Sequence, residues 1–354
     1  MTMASLTPEE SPPDSPRGDT VLEVRGLSQE FAVRSPKGGL RKAHVSALAG
    51  VSFSVSKGET FALVGETGSG KSTLARAIIG EPAPKAGQIF LNGTETTTLR
   101  GPALLASRRA VQMVFQDPFT ALDPRWTVEQ LVCEPLQVHH AGTRREQLMR
   151  VREILSQCGL PPGRYLERYP RDLSGGECQR VAIARALAIS PDLVICDEPV
   201  TALDVSIQAQ ILNLLAELRD RLHLTYLLIA HDLTVVKALS HRVGTMYLGK
   251  LCEVGGTATV FERPAHPYTT ALLSAVPPRP GFKAPTEPII LSGEVPSPLN
   301  PPSGCRFRTR CPIAQPVCAE VVPEAQEVGR GHSVMCHFPF EIHDVVASRS
   351  TAAI

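Results

Sequence analysis

Eight consecutive residues, Gly65-Glu66-Thr67-Gly68-Ser69-Gly70-Lys71-Ser72, restrict this chain more than any other stretch. They follow an apolar run of strand length, Thr60 to Val64, and lead into Thr73 to Ile79, whose spacing predicts a helix. Three glycines let the backbone curl until consecutive N–H groups face inward on an anion, and the helix adds its positive N-terminal end. Lys71 can then reach the outer phosphates of a nucleotide, and Ser72 can ligate Mg²⁺. Strand, phosphate-binding loop and helix in this order predict an α/β nucleotide-binding fold.

Length and charge restrict the rest. A chain of 354 residues holds one large α/β domain and a smaller appendage. Its 36 basic and 35 acidic residues give no electrostatic case for a nucleic acid partner. No apolar run approaches the roughly 18 residues that span a bilayer, and no basic-then-apolar signal opens the chain, so the cytosol is the expected compartment. Nine cysteines, odd in number and mostly unclustered, suit reducing conditions better than a disulfide framework.

In chain order, Met1 to Thr20 is rich in Pro, Ser and acidic residues and reads as a disordered tail. Val21 to Val24 and Phe31 to Val33 look like paired strands, with polar Ser35 to Arg41 as an exposed loop beyond them. Phe31, an aromatic upstream of the phosphate loop, is suited either to stack on adenine or to fill the core. Gly80 to Gly87 is a Pro/Gly connection, Gln88 to Leu91 a short strand, and Val111 to Phe115 an apolar run ending at Gln116. Val128 to Leu136 and Arg144 to Cys158 carry helical spacing and predict a helical insert. It ends at Leu173-Ser174-Gly175-Gly176-Glu177, before a helix over Cys178 to Ala188. That turn is either a second anion site or an ordinary serine N-cap.

Leu193 to Cys196 reads as a core strand ending in Asp197-Glu198. Two carboxylates at the tip of a buried strand are costly unless a cation sits there. Mg²⁺ would supply it, with Asp197 in the metal's shell and Glu198 orienting or deprotonating an attacking water. Asp204 follows in a turn, Ile207 to Leu222 is an amphipathic helix, and Thr225 to Ile229 is a buried strand ending near His231. Parallel sheets bind ligands at the strand ends where these residues fall.

Phosphate loop, strand-end Gln116, Leu-Ser-Gly-Gly, Asp197-Glu198, Ala202-Leu203-Asp204 and strand-end His231 stand in the order that resembles ABC-type ATPases. The resemblance covers roughly residues 21 to 340. Further stretches are similar to the ATPase subunits of oligopeptide and dipeptide importers, most closely the second, F-type, of two paired subunits. They are Gln116-Asp117-Pro118, Ile195 to Gln210, His266-Pro267-Tyr268-Thr269, and Pro301 to Pro312 with its Phe307-Arg308-Thr309-Arg310-Cys311.

The resemblance implies a RecA-like core with an antiparallel β subdomain and an α-helical subdomain. The ATP-binding domain would span 21–262, with its helical part about 117–180, and an importer-type extension would span 263–340 before a tail at 341–354. It implies a head-to-tail dimer in which ATP and Mg²⁺ lie between residues 65–73, Thr73 included, of one subunit and Ser174-Gly175-Gly176 of the other. Gln116 would touch the metal and sense the γ-phosphate, Asp204 would communicate across the dimer, and His231 would align phosphate and water.

Two membrane permease subunits, a paralogous ATPase and an extracellular solute-binding protein are the implied partners, with this chain peripheral at the cytoplasmic membrane face. Glu177 departs from the Gln of many relatives. Soluble ABC-type ATPases acting on DNA or ribosomes are the other class. The 58 positions between Gln116 and Ser174 leave no room for the long insert of the DNA-repair type, and ribosome-acting members carry two ATPase domains where this chain has one. The cargo stays open among peptides, nickel chelates and other small solutes.

Beyond about Glu262 proline is frequent and periodicity weak, which predicts a loop-rich extension. Cys305, Cys311, Cys318 and Cys336 are separated by five, six and seventeen residues, unlike the C-x₂-C of zinc ribbons. They are either a metal staple or four free thiols. Relatives with such an extension include holders of a 4Fe–4S cluster, and that is what the resemblance implies.

Overall fold

A computed structural model of the chain describes residues 20–34, 42–201, 203–277 and 288–342. The expected tails, apart from Thr20 and residues 341–342, and the expected loop at 35–41 lie outside these residues.

Strands β1 (Thr20–Arg34) and β2 (Lys42–Ser56) are long and antiparallel. The two short strands expected over 21–24 and 31–33 are therefore parts of one strand, and each pairs with β2 rather than with the other. A register shift between Val24 and Leu27, next to Gly26 at φ 57°, takes up the irregularity within the strand. After β3 (Thr60–Val64) and α1 (Lys71–Ile78), strands β4 (Ala86–Leu91) and β5 (Thr94–Glu95) return to this sheet, giving the order β2-β1-β4-β5.

Helix α2 (Gly101–Ala110) had no counterpart in the sequence reading. None of its residues is buried, so it lacks the apolar stripe that reveals a helix. Strand β6 (Val111–Val114) then leads into a helical layer made of α3 (Pro118–Ala121), α4 (Val128–Val138), α5 (Arg144–Gln157), α6 (Pro162–Tyr165) and α7 (Gly175–Leu187). Thr127 and Thr143 start α4 and α5 with capping boxes. The expected helical insert is present, and its last helix runs on to Leu187.

The second sheet adds β7 (Leu193–Asp197), α8 (Val205–Leu222), β8 (Thr225–Ile229), α9 (Leu233–Leu239), β9 (Arg242–Tyr247) and β10 (Lys250–Gly256). Strands β6, β7, β8, β3 and β9 are parallel neighbours in that order. Along β3, Ala62 and Val64 face a core shared with the helical layer, while Phe61 and Leu63 face one shared with the first sheet. Burial on both faces explains the unbroken apolar runs of β3, β7 and β8.

The chain closes with α10 (Thr257–Glu262), α11 (Pro267–Ser274), α12 (Val317–Glu320), β11 (Gln326–Gly329) and β12 (His332–Val334). The extension is loop-rich, as expected, but it is not set apart: β12 pairs with β10 and extends the main sheet. Among the described residues, no helix is long and apolar enough to cross a membrane.

Candidate functional site

Strand β3 ends at Val64 and α1 begins at Lys71, so residues 65–70 form the connecting loop. Gly65, Gly68 and Gly70 have φ of 152°, 81° and 103°, values that side chains rarely adopt. A Cβ on Gly65 would lie 2.1 Å from the Met246 carbonyl oxygen, and one on Gly70 would lie 2.5 Å from that of Ala47. Gly65 and Gly70 are therefore required by both conformation and contact, and Gly68 by conformation alone.

Lys71 is buried, and its Nζ donates to the carbonyls of Gly65 at 2.7 Å and Glu66 at 3.1 Å and to Ser69 Oγ at 3.2 Å. Burial lowers its pKa, against Glu198, Asp197 and Glu66, which favour the charge. Among the described residues its bonds go to two carbonyls and a hydroxyl and none to a carboxylate, which leaves the ammonium suited to an anion. Thr67 and Gly68 are exposed at the loop tip, Ser72 is exposed, and Thr73 is half-buried.

Ser72 Oγ donates to Asp197 Oδ1 at 3.1 Å, joining the loop to the tip of β7. Burial raises the Asp197 pKa, the sign of a carboxylate short of positive charge. Hydroxyl and carboxylate oxygens side by side suit Mg²⁺, and this donor set fits the expected ion. Glu198 follows at φ 48°, a strained conformation that its N–H bond to the Ile229 carbonyl at 2.9 Å holds in place. Three groups gather on Glu198 Oε2: Gln116 Nε2 donates at 3.0 Å, Thr201 Oγ1 donates at 3.1 Å, and His231 Nδ1 lies 3.3 Å away. The ends of β6, β7, β8 and β3 thus bring Gln116, Asp197, Glu198, His231 and the loop to one edge, as the parallel-strand argument expects. Thr201 was missed because a hydroxyl in a turn carries no signal of its own.

Ser174 caps α7 in a capping box with Glu177, whose carboxylate also accepts from the Tyr165 hydroxyl at 2.6 Å. That bond, followed by the Ser174 backbone bond, lowers the Glu177 pKa. A Cβ on Gly176 would lie 2.6 Å from Ile207, so glycine here lets α7 pack against the start of α8. Gly175 lies under Leu203, and Asp204 precedes α8 exposed, with no capping bond from its side chain. Among the described residues, no hydrogen bond or ion pair joins Ser174, Gly175 or Gly176 to residues 65–73. Phe31 is half-buried in β1 opposite Val45, three residues from Leu48, which packs on Gly70.

The four extension cysteines fall in one corner. Cys305 N–H donates to the Cys318 carbonyl at 2.8 Å, and burial pushes the thiols of Cys311 and Cys336 up to about 12 and about 11. Among the described residues, no three His, Cys, Asp or Glu side chains are gathered to hold a metal ion. The side-chain arrangement therefore lends no support to the expected iron–sulfur cluster.

Phosphate loop, acidic strand tip and glycine-rich helix start on this sheet define a P-loop ATPase that binds ATP with Mg²⁺. Residues 48–201 match the ABC transporter family, and residues 252–318 match the oligopeptide/dipeptide transporter C-terminal region. The oligopeptide transport ATP-binding protein AppF of Bacillus subtilis (strain 168) is 49% identical over 321 residues, covering 90% of this chain and 97% of the relative. The oligopeptide transport ATP-binding protein OppF of Escherichia coli (strain K12) is 46% identical over 320 residues, 89% of this chain and 95% of its own. The dimeric post-hydrolysis structure of the ATP-binding cassette MJ0796 bound to ADP and Pi superimposes with a TM-score of 0.59 at 29% identity, covering 67% of this chain and 98% of that one. The chain belongs to the ABC transporter family, in the branch of oligopeptide transport ATP-binding proteins.

Proposed function

We propose that this chain is the ATP-hydrolysing subunit of a peptide importer. It would act peripherally at the cytoplasmic membrane face, with two permease subunits, a paralogous ATPase subunit and an extracellular peptide-binding protein. The observation that carries this reading is the separation of two complementary half-sites on one chain. Residues 65–73 end one sheet edge, and Ser174-Gly175-Gly176 cap a different helix with no bond between them, so each is free to meet its complement on another subunit. The dimeric MJ0796 cassette and the peptide-transport names of the relatives support the same reading.

In this assembly Lys71 and the loop N–H groups bind the phosphates, and Phe31 supports the adenine. Ser72, Asp197 and Gln116 would hold Mg²⁺, which neutralises charge on the phosphates when bound. Glu198 takes the proton of the attacking water, His231 aligns it, and Thr201 keeps Glu198 in place. Asp204, exposed ahead of α8, faces the partner. The domains divide as 21–262 for the ATPase, with helices over about 117–180, and 263–340 for the extension. Reconstitution with permeases, partner ATPase and binding protein tests this: peptide uptake should need ATP and vanish in Glu198→Gln, and uptake unchanged by that variant would refute it. The four extension cysteines, Cys305, Cys311, Cys318 and Cys336, keep a 4Fe–4S cluster in the proposal on the resemblance alone, and anaerobically purified protein without iron and sulfide would remove it.

A further inference from the structure

The phosphate loop is held from behind by residues far downstream. Glu66 N–H donates to the Tyr268 hydroxyl at 2.8 Å, 202 positions along the chain. The Glu66 carboxylate accepts from Arg310 Nη1 at 2.7 Å, 244 positions along. Both bonds converge on the loop's second residue, between Gly65 and the left-handed Gly68. Glycine has little preference for one curl over another, so outside contacts decide which one the loop keeps.

Those contacts are firmly based. Tyr268, fully buried, packs against Tyr247 at 4.8 Å between ring centroids and against Phe307 at 5.4 Å. Its helix α11 starts at His266, whose N–H donates at 3.0 Å to Glu253 on β10. Glu253 is buried too, and also binds Ala265 N–H and His332 of β12. Arg310 is 10% exposed, touches the Tyr247 hydroxyl at 3.5 Å, and leaves its Nε buried with no partner. A guanidinium taken out of water with one donor unsatisfied is a net cost to folding. Stability alone would put an apolar residue there; the ion pair with Glu66 is what the charge provides.

We propose that the C-terminal extension is a working part of the ATP site, with Arg310 and Tyr268 as positioning residues that hold Glu66 and keep the loop in its phosphate-binding curl. This rests on residues 65–72 being the ATP loop. It gives a task to two motifs of the extension, His266-Pro267-Tyr268-Thr269 and Arg308-Thr309-Arg310, that the nucleotide chemistry leaves unexplained. Affinity for ATP then depends on a segment outside the nucleotide-binding domain, because a loop already curled loses less freedom when phosphate arrives.

The test is equilibrium ATP binding to the purified full chain, wild type against Glu66→Gln, Arg310→Met, Tyr268→Phe and the Glu66→Gln/Arg310→Met double variant. Lys71→Ala serves as control for the loop itself. Each single variant should weaken binding by roughly three- to tenfold, as for one lost hydrogen bond, and the double by no more than the worse single. Arg310→Lys should restore most of the affinity. In the assembled transporter the same variants should raise KM for ATP with kcat little changed, a split that a general loss of stability would not produce. Wild-type affinity in both Glu66→Gln and Arg310→Met, or additive losses in the double, overturns the proposal. If Lys71→Ala also binds ATP normally, the reading of the loop is what fails.

Discussion

Gln116 Nε2 donates to Glu198 Oε2 at 3.0 Å, so the end of β6 and the tip of β7 share one carboxylate oxygen. With Thr201 and His231 on the same oxygen, the protein's own side chains orient Glu198. Glu198→Gln keeps the shape and removes the proposed base. ATP affinity should stay within about twofold while turnover falls by at least roughly a hundredfold, the usual share of a general base. Nucleotide binding and phosphate release, measured on the same preparation, check this.

Asp197 offers a test of the metal. Burial raises its pKa, so the folded chain bears a cost above that pKa, and the cost disappears as the pH falls and the carboxylate takes a proton. A bound cation should remove the same cost at neutral pH. Without nucleotide at pH 7.5, Asp197→Asn should melt no lower than wild type. With ATP, added Mg²⁺ should raise the wild-type melting temperature and leave the variant nearly unchanged, as thermal melts with and without Mg²⁺ would show.

The signature turn is organised by Glu177, which binds Ser174 N–H, Ser174 Oγ and the Tyr165 hydroxyl. Its pKa is lowered, first by the Tyr165 bond, so its contribution is present at neutral pH and lost only as the pH falls through the carboxylate range. Glu177→Gln keeps a capping box and should retain activity within a few-fold. Glu177→Ala breaks the cap and should cost about 1 kcal/mol of stability. ATPase rates and urea melts distinguish the two.

His266 is buried neutral, its pKa pushed down to about 4 by burial, with Glu253 opposing. Its Nδ1 accepts from Tyr268 N–H at 3.0 Å, which fixes the neutral ring. Because the unfolded chain binds this proton near pH 6.5 and the folded one does not, stability should fall as the pH drops from about 6.5 towards 4. His266→Asn should be less stable at pH 8 and show a flatter profile over that range, measured by thermal melting across pH.

Strands β3, β7 and β8 were legible in the sequence because both of their faces are buried, which leaves unbroken apolar runs. Asp197, Glu198 and His231 were legible for a related reason, since each falls at or just beyond the end of such a run, and Lys71 was legible from the glycine loop before it. Helix α2 was not, since it buries nothing. Strand β1 was read as two because a mostly polar stretch with Gly26 separates its two apolar segments. The bond from Arg310 to Glu66 left no trace, for spacing along the chain says nothing about side chains 244 positions apart. The role of the cysteines was not legible, because four thiols at irregular spacing suit a metal staple and free thiols alike.

The central claim is that one triphosphate is enclosed by the loop of one ATPase subunit and the Ser174 turn of another. A structure of the assembled transporter carrying Glu198→Gln and trapped with Mg²⁺ and ATP measures it directly. The account predicts Ser174 Oγ and the N–H groups of Gly175 and Gly176 within hydrogen-bond distance of the triphosphate held by the opposing subunit. A Ser174 turn remote from every bound triphosphate would contradict it.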